Sequence, residues 1–296
     1  MNVRDNTAFY QNPILKGYAD PDVLYENGIY YLYATSYYVK KGYELHTSTD
    51  LVHWKKSGMA MEDAWGFKEK YWAPDVKKIG DRYIMAASVC EHLGLAVATC
   101  PEGPFVPQEN WLFDSSIDGH LFLDADGKLY LYYVSWRKGH TYGLYGCQLN
   151  ITSLMPIPDS ERLLLTPTES YEIHQAPVVE APYMLYREGK YFLTYSGSHF
   201  ESINYCVAVA VSDSALGEFE RCPGNPILIG NREVSGCGHH CIVQTPAKEL
   251  YLLYHTHAVA GSQIHPRQLA LDKLYWKENR LAVSGPSTIP QPVPAE

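Results

Sequence analysis

Short hydrophobic runs, broken by Gly, Pro and polar residues, recur along this chain in a fixed order. Five of them are rich in Tyr and other strand-favouring residues, follow a turn and close on small polar residues. They cover residues 28–36, 80–88, 127–135, 189–196 and 248–255, the last without the turn glycine and ending in His255. Such runs read as strands, while apolar residues at helical spacing are missing. The starts lie roughly 50 to 60 residues apart, room for four short strands each and close to the repeat of propeller blades. Each Tyr-rich run is preceded by another short apolar run, at residues 20–25, 75–79, 118–123, 180–186 and 239–243, so each pair forms a hairpin. Third strands follow at 43–48, 93–98 and 205–210, and Asp50-Leu-Val-His-Trp54 turns the chain towards an outer strand. The pattern predicts an all-β fold: a five-bladed β-propeller with four-stranded antiparallel blades around a central channel, one domain over residues 1–296.

Every leading strand opens with an ionisable residue: Asp20, Asp75, Asp118, Glu180 and His239. Innermost strands of a propeller converge on the channel, so these five starts meet at one mouth. Gathering four carboxyls and a histidine there is costly to stability unless they act. Paired carboxyls among Tyr and Trp side chains suit glycoside cleavage, one protonated to release the leaving oxygen and the other ionised. A third carboxylate nearby raises the acid's pKa by like-charge repulsion. Calcium binding is the competing use of such a cluster, but no Asp-x-Asp-x-Asp-Gly loop occurs.

Composition narrows the partners. The 296 residues carry 24 Lys+Arg against 33 Asp+Glu, a formal charge of −9, which argues against nucleic acid or an anionic membrane as partner. No apolar run is long enough for a membrane-spanning helix. The start, Met1-Asn2-Val3-Arg4-Asp5, lacks the apolar stretch of a secretory signal, so a cytoplasmic location is expected. Seven cysteines without a Cys-x-x-Cys pair do not suggest a disulfide framework. Cys237-Gly-His-His-Cys241 has zinc-ligand residue types but no second half-site, and buried free thiols are the better reading.

Five ordered motifs then carry a resemblance. Asn12-Pro-Ile-Leu-Lys-Gly-Tyr-Ala-Asp20-Pro-Asp-Val, Trp72-Ala-Pro-Asp75, Ser116-Ile-Asp118, Val179-Glu180-Ala-Pro and Gly236-Cys-Gly-His239 together resemble glycoside hydrolase family 43. The resemblance runs from about Asn12 to Trp276 and implies a five-bladed propeller enzyme acting on arabinose- and xylose-containing glycans with inversion. It implies that Asp20 is the general base, with Asp22 a nearby competitor, that Asp118 tunes and orients the acid, and that Glu180 is the general acid. Asp75, behind Trp72, matches a sugar-binding position. His239 matches a histidine under the site which, in some relatives, reaches a calcium ion through a water; no cofactor is otherwise required. Asp118 is followed by Gly119-His120 where relatives often carry Pro-Ser, and Glu180 by Ala181-Pro182 where Gly-Pro is common.

The loops after the Tyr-rich strands should rim the pocket. They hold Tyr37 and Tyr38, Glu91 and His92, Trp136 and Arg137, His199 and Phe200, and His255 and His257. Tyr37, Trp136 and His199 from these loops are candidate sugar contacts together with Trp72 of the Trp72-Ala-Pro-Asp75 motif, and Arg267 resembles a family arginine that pairs with a carboxylate or a sugar hydroxyl. Asn12-Pro-Ile-Leu15 recurs as Asn225-Pro-Ile-Leu228, both read as outer-edge segments joining blades, and the Pro-rich tail 286–294 as an extended strap. The function expected is an inverting exo-acting glycosidase that releases α-L-arabinofuranosyl or β-D-xylosyl units from oligosaccharides. An endo-arabinanase, a phosphorylase and a non-catalytic sugar-binding propeller are the alternatives. The sequence leaves linkage, aglycone and oligomeric state open.

Overall fold

A computed structural model describes residues 8–295; the segment Met1–Asp5 lies outside them. No helix among the described residues is long and apolar enough to cross a membrane. Five antiparallel sheets form the blades of a propeller. Their inner strands are Tyr18–Glu26, Tyr71–Ile79, Ser116–Leu123, Val179–Arg187 and Gly238–Gln244 for blades 1 to 5. The Tyr-rich second strands are Ile29–Ser36, Arg82–Val89, Leu129–Ser135, Lys190–Gly197 and Leu250–Thr256. Lys55–Met61 and Arg162–Leu165 are single outer strands in blades 1 and 3. In blades 2, 4 and 5 the outer position is filled by two short pieces instead.

Blade 5 takes one of its pieces from the other end of the chain. Leu15–Lys16 pairs with Gln268–Leu269, while Arg280–Val283 covers the rest of the same third strand. Leu228–Ile229 pairs with blade 4 in the same manner. Both Asn-Pro-Ile-Leu segments are therefore outer-edge pieces, and the asparagines explain why. The Asn12 amide donates to Leu271 O and accepts from Leu271 N, and Asn225 does the same with Val209. Each side chain thus replaces one strand residue on a sheet edge. The Pro-rich tail runs as a strap, with Gln291–Pro292 paired to Phe9–Tyr10.

The core is divided into five buried clusters, one between each pair of neighbouring blades. Alternation along a second strand feeds two of them at once: Tyr31 and Tyr33 face blade 2, while Tyr30 and Leu32 face blade 5. A buried unpaired hydroxyl would cost about 1–3 kcal/mol, and the tyrosines avoid this. Tyr33 donates to Pro101 O (2.5 Å), Tyr132 to Ala215 O (2.9 Å) and Tyr254 to Asp272 (2.6 Å). Tyrosine suits these wedges because its ring fills the interface while its tip reaches an acceptor in the next blade, as at Tyr33 and Tyr132, or on the next strand, as at Tyr254.

Candidate active site

Each inner strand carries one extra residue relative to its partner near its start. The bulge puts one residue of each strand in the left-handed region: Asp20 (φ 52°), Ala73 (41°), Asp118 (58°), Ala181 (52°) and His239 (44°). Such backbone costs of order 1–3 kcal/mol per residue and gathers where a side chain must be re-aimed. The polar ends of the second strands support it from the preceding blade. Thr35 Oγ1 accepts from Ala73 N, Ser88 Oγ from Asp118 N and Ser196 Oγ from His239 N, at 2.8–2.9 Å.

The bulge also separates residues that the sequence pattern had set at one level. Asp20, Asp118 and His239 occupy the left-handed position itself, Glu180 stands one residue before it and Asp75 two residues after it. Asp20, Asp118, Glu180 and His239 line a pocket of about 430 Å³ at the mouth, together with Trp72, Tyr37, His199 and Arg267. Asp75 does not line it. Its carboxylate turns down the channel, where Oδ2 accepts from Leu121 N (2.9 Å) and Oδ1 meets His120 Nδ1 (2.6 Å). Asp22 lies in the same lower layer and accepts from Val76 N at 2.8 Å. Both carboxylates bind the edge of the next blade's inner strand, which faces the channel without a strand partner. Trp136 also stays outside the pocket, packed between blades 3 and 4.

Asp20 is surrounded by nitrogen. Arg267 Nη1 and Nη2 bind its two oxygens at 2.9 and 3.3 Å, and His255 Nδ1 and His239 Nδ1 approach Oδ1 at 3.0 and 3.3 Å. Burial alone would raise its pKa, but Arg267 and the two imidazoles outweigh burial and hold it well below the usual carboxylate range. Asp118 and Glu180 go the other way. Burial and the negative charges of Glu180 and Asp20 push Asp118 well up, although Ala181 N donates to it at 3.1 Å. Burial pushes Glu180 up to about 7 against the opposing hydrogen bond from Tyr205 OH (2.7 Å). Burial raises both carboxyls, Glu180 adds to the rise of Asp118 and Asp20 to that of Glu180, so a proton is held here near neutral pH.

Tyr205 was not marked as a site residue on sequence. It stands just before the third strand of blade 4, stacked on His255 with ring centroids 5.4 Å apart. Its ring occupies the space above Gly238, where a Cβ would lie 2.2 Å away. The Gly-Cys-Gly-His motif was the available signal. His265 was also missed; its Nδ1 lies 2.5 Å from Tyr37 OH, and Tyr37 OH accepts from Arg267 Nε at 3.0 Å. Phe200 covers the Arg267 guanidinium at 4.8 Å and continues to His199 and His265. These rings form an aromatic wall along blades 4, 5 and 1.

Below the pocket a small space of about 20 Å³ is lined by Asp22, Asp75, His120, His239 and His240, among others. The buried atoms His120 Nε2 and His240 Nδ1 have no partner. Calcium takes six to eight oxygens at about 2.3–2.6 Å, and no three His, Cys, Asp or Glu among the described residues converge as ligands. Space and donor types fit a single water better than a calcium ion. All seven cysteines are unpaired thiols, with Cys237 and Cys241 buried.

Over residues 10–281 the chain matches the family model described as glycosyl hydrolases family 43. It is 26% identical over 90% of its length to a β-D-galactofuranosidase of Aspergillus niger, of which the match covers 82%. It is also 26% identical over 90% of its length to a β-xylosidase of Bacillus subtilis, but spans only 55% of that protein. Among solved structures it resembles a thermostable family-43 glycoside hydrolase, with a TM-score of 0.89 and 33% identity over 97% of this chain and 99% of that one. An endo-1,4-β-xylanase from Bacteroides thetaiotaomicron aligns with a TM-score of 0.86 and 29% identity, over 93% of this chain and 97% of the other.

Proposed function

The chain belongs to glycosyl hydrolases family 43, and from that premise we propose that it is an inverting exo-acting glycosidase releasing terminal α-L-arabinofuranosyl or β-D-xylosyl units. The observation that carries this reading is the opposite electrostatic treatment of two carboxyls in one pocket. Asp20, held ionised by Arg267, His239 and His255, is the base that takes a proton from water as the water attacks the anomeric carbon. Glu180, kept protonated up to about pH 7, gives its proton to the leaving glycosidic oxygen. Asp118 stands beside both in the pocket, its own carboxyl raised by burial and by the charges of Glu180 and Asp20, and serves to orient the acid. Asp22 is bonded into the layer below, which favours Asp20 over it as the base. Exo action is supported by the aromatic wall of Tyr37, His265, Phe200 and His199, which stands across the mouth where an open groove would have to continue.

Hydrolysis of nitrophenyl α-L-arabinofuranoside and β-D-xyloside followed by proton NMR tests substrate class and mechanism together. The first-formed sugar is expected with its anomeric configuration inverted, and retention would reject the base assignment. Asp20→Asn should be nearly inactive on both compounds; an active variant would return the role to Asp22.

A further inference from the structure

The rim of the mouth is uneven. Connections between second and third strands are long in four blades: residues 37–42, 136–142, 198–205 and 257–267 in blades 1, 3, 4 and 5. In blade 2 the connection is only Cys90 and Glu91, both left-handed at φ 48° and 65°, as a two-residue hairpin with the strand twist requires. The rim is therefore notched over blade 2, on the side away from the aromatic wall.

Three rings stand in that notch, brought there by three separate segments. His92 heads the third strand, Phe67 comes from the loop before the inner strand, and Trp111 from the loop before the outer piece Phe113–Asp114. Their centroids lie 5.2 Å (Phe67–His92), 4.3 Å (His92–Trp111) and 5.9 Å (Phe67–Trp111) apart. Trp111 is 40% exposed. His92 Nδ1 donates to Cys90 O at 2.8 Å, which leaves Nε2 as an acceptor. Neighbouring strands are about 4.8 Å apart, so the third strand headed by His92 runs about 10 Å, and the outer piece Phe113–Asp114 about 14 Å, outward from the inner strand that carries Trp72. The three rings form a ridge of their own on blade 2, the blade whose inner strand brings Trp72 to the pocket.

We propose that the notch over blade 2 receives the leaving-group side of the substrate, with Phe67, His92 and Trp111 stacking on the sugars that follow the one in the pocket. The inference rests on the glycosidase reading above. Its chemistry is ordinary: sugar C–H faces lie flat on aromatic rings, and polar groups between the rings take up hydroxyls. A short turn leaves the chain room to pass, and the wall on the far side gives it one direction only.

Steady-state kinetics on a nitrophenyl glycoside, which has no second sugar, and on xylo- and arabino-oligosaccharides of increasing length tests this. Trp111→Ala should stay within about twofold of wild type on the nitrophenyl glycoside. On oligosaccharides of three or more units it should lose about tenfold in kcat/KM, chiefly through KM, and Trp111→Phe should recover most of the loss. Lengthening the 90–91 turn should spare the nitrophenyl glycoside and block long substrates. Unchanged kinetics of Trp111→Ala on long substrates, or equal losses on both classes, would overturn the proposal. So would a change of oligomeric state in Trp111→Ala, which would make the ridge a contact between copies. A wild-type protein silent on nitrophenyl glycosides would instead count against the glycosidase reading. Calorimetric titration of the same oligosaccharides into wild type and Trp111→Ala would then read the notch directly.

Discussion

Asp20 and Glu180 begin inner strands of the same channel, yet their neighbours drive them apart. Asp20 is depressed below 3.8 and Glu180 is pushed up to about 7. As base, Asp20 must be ionised, and as acid, Glu180 must be protonated, so kcat/KM should be flat from about pH 4 to 6. It should fall on the alkaline side near pH 7. Arg267→Met leaves Asp20 buried without its cation, and the acid limb should climb by about 1–3 pH units. An unmoved acid limb would show that the histidines suffice. Glu180→Gln should erase the alkaline limb and lose activity mainly on substrates with poor leaving groups. A raised carboxyl stabilises the fold below its unfolded pKa and ceases to do so as pH rises through the folded value. Thermal unfolding should therefore find Glu180→Gln more stable than wild type at pH 8, by roughly 3 kcal/mol, and no more stable at pH 4. The carboxyls were legible on sequence because each opens a repeat. His265 was not, since it stands in a loop whose path no periodicity describes, and Tyr205 was not, since a third strand read from the pattern does not reveal that its first residue reaches back to Glu180.

At the scale of the element, the one-residue bulge decides which side chains meet substrate. Period-2 alternation makes a single-residue offset reverse the face of a strand, so Glu180 and Asp75, both first ionisable residues of their runs, end in different layers. The pattern of repeats revealed five inner strands but not where each bulge falls. Asp75 reads as a tie between blades 2 and 3, not as a sugar ligand. Asp75→Ala should cost about 1–3 kcal/mol by leaving Leu121 N–H without its acceptor, read from urea unfolding, while KM for nitrophenyl glycosides moves less than about twofold. A raised KM at unchanged stability would return Asp75 to the pocket. The small polar residues that end the Tyr-rich runs gain a role by the same logic. They were visible as a pattern, but an acceptor for the next blade's left-handed N–H exists only once the blades stand side by side.

In the whole molecule, five wedge-shaped cores are joined into a ring, and blade 5 is completed by Leu15–Lys16. The Tyr-rich period made the number of blades legible, whereas closure could not be read from a local pattern because its partners are about 250 residues apart. Deleting residues 1–16 removes the Tyr10 hydroxyl and Asn12 amide bonds to Leu271 as well as the packing of Ile14 and Leu15. Stability should drop by about 3–6 kcal/mol at roughly 1 kcal/mol per hydrogen bond and 1.5 or more per apolar side chain. A urea midpoint unchanged by the deletion would show that Arg280–Val283 alone holds the edge.

The clasp has a consequence in time. Gly17 donates to Arg267 O at 3.0 Å and accepts from Tyr37 N at 3.0 Å, so the strand that shuts the ring lies directly behind the Asp20–Arg267 pair. During synthesis Asp20 emerges 247 residues before Arg267. Until Arg267 has been added, Asp20 stands exposed and ionised in water without the cation that holds it in place, so the pocket is assembled only when blade 5 closes on the first strands.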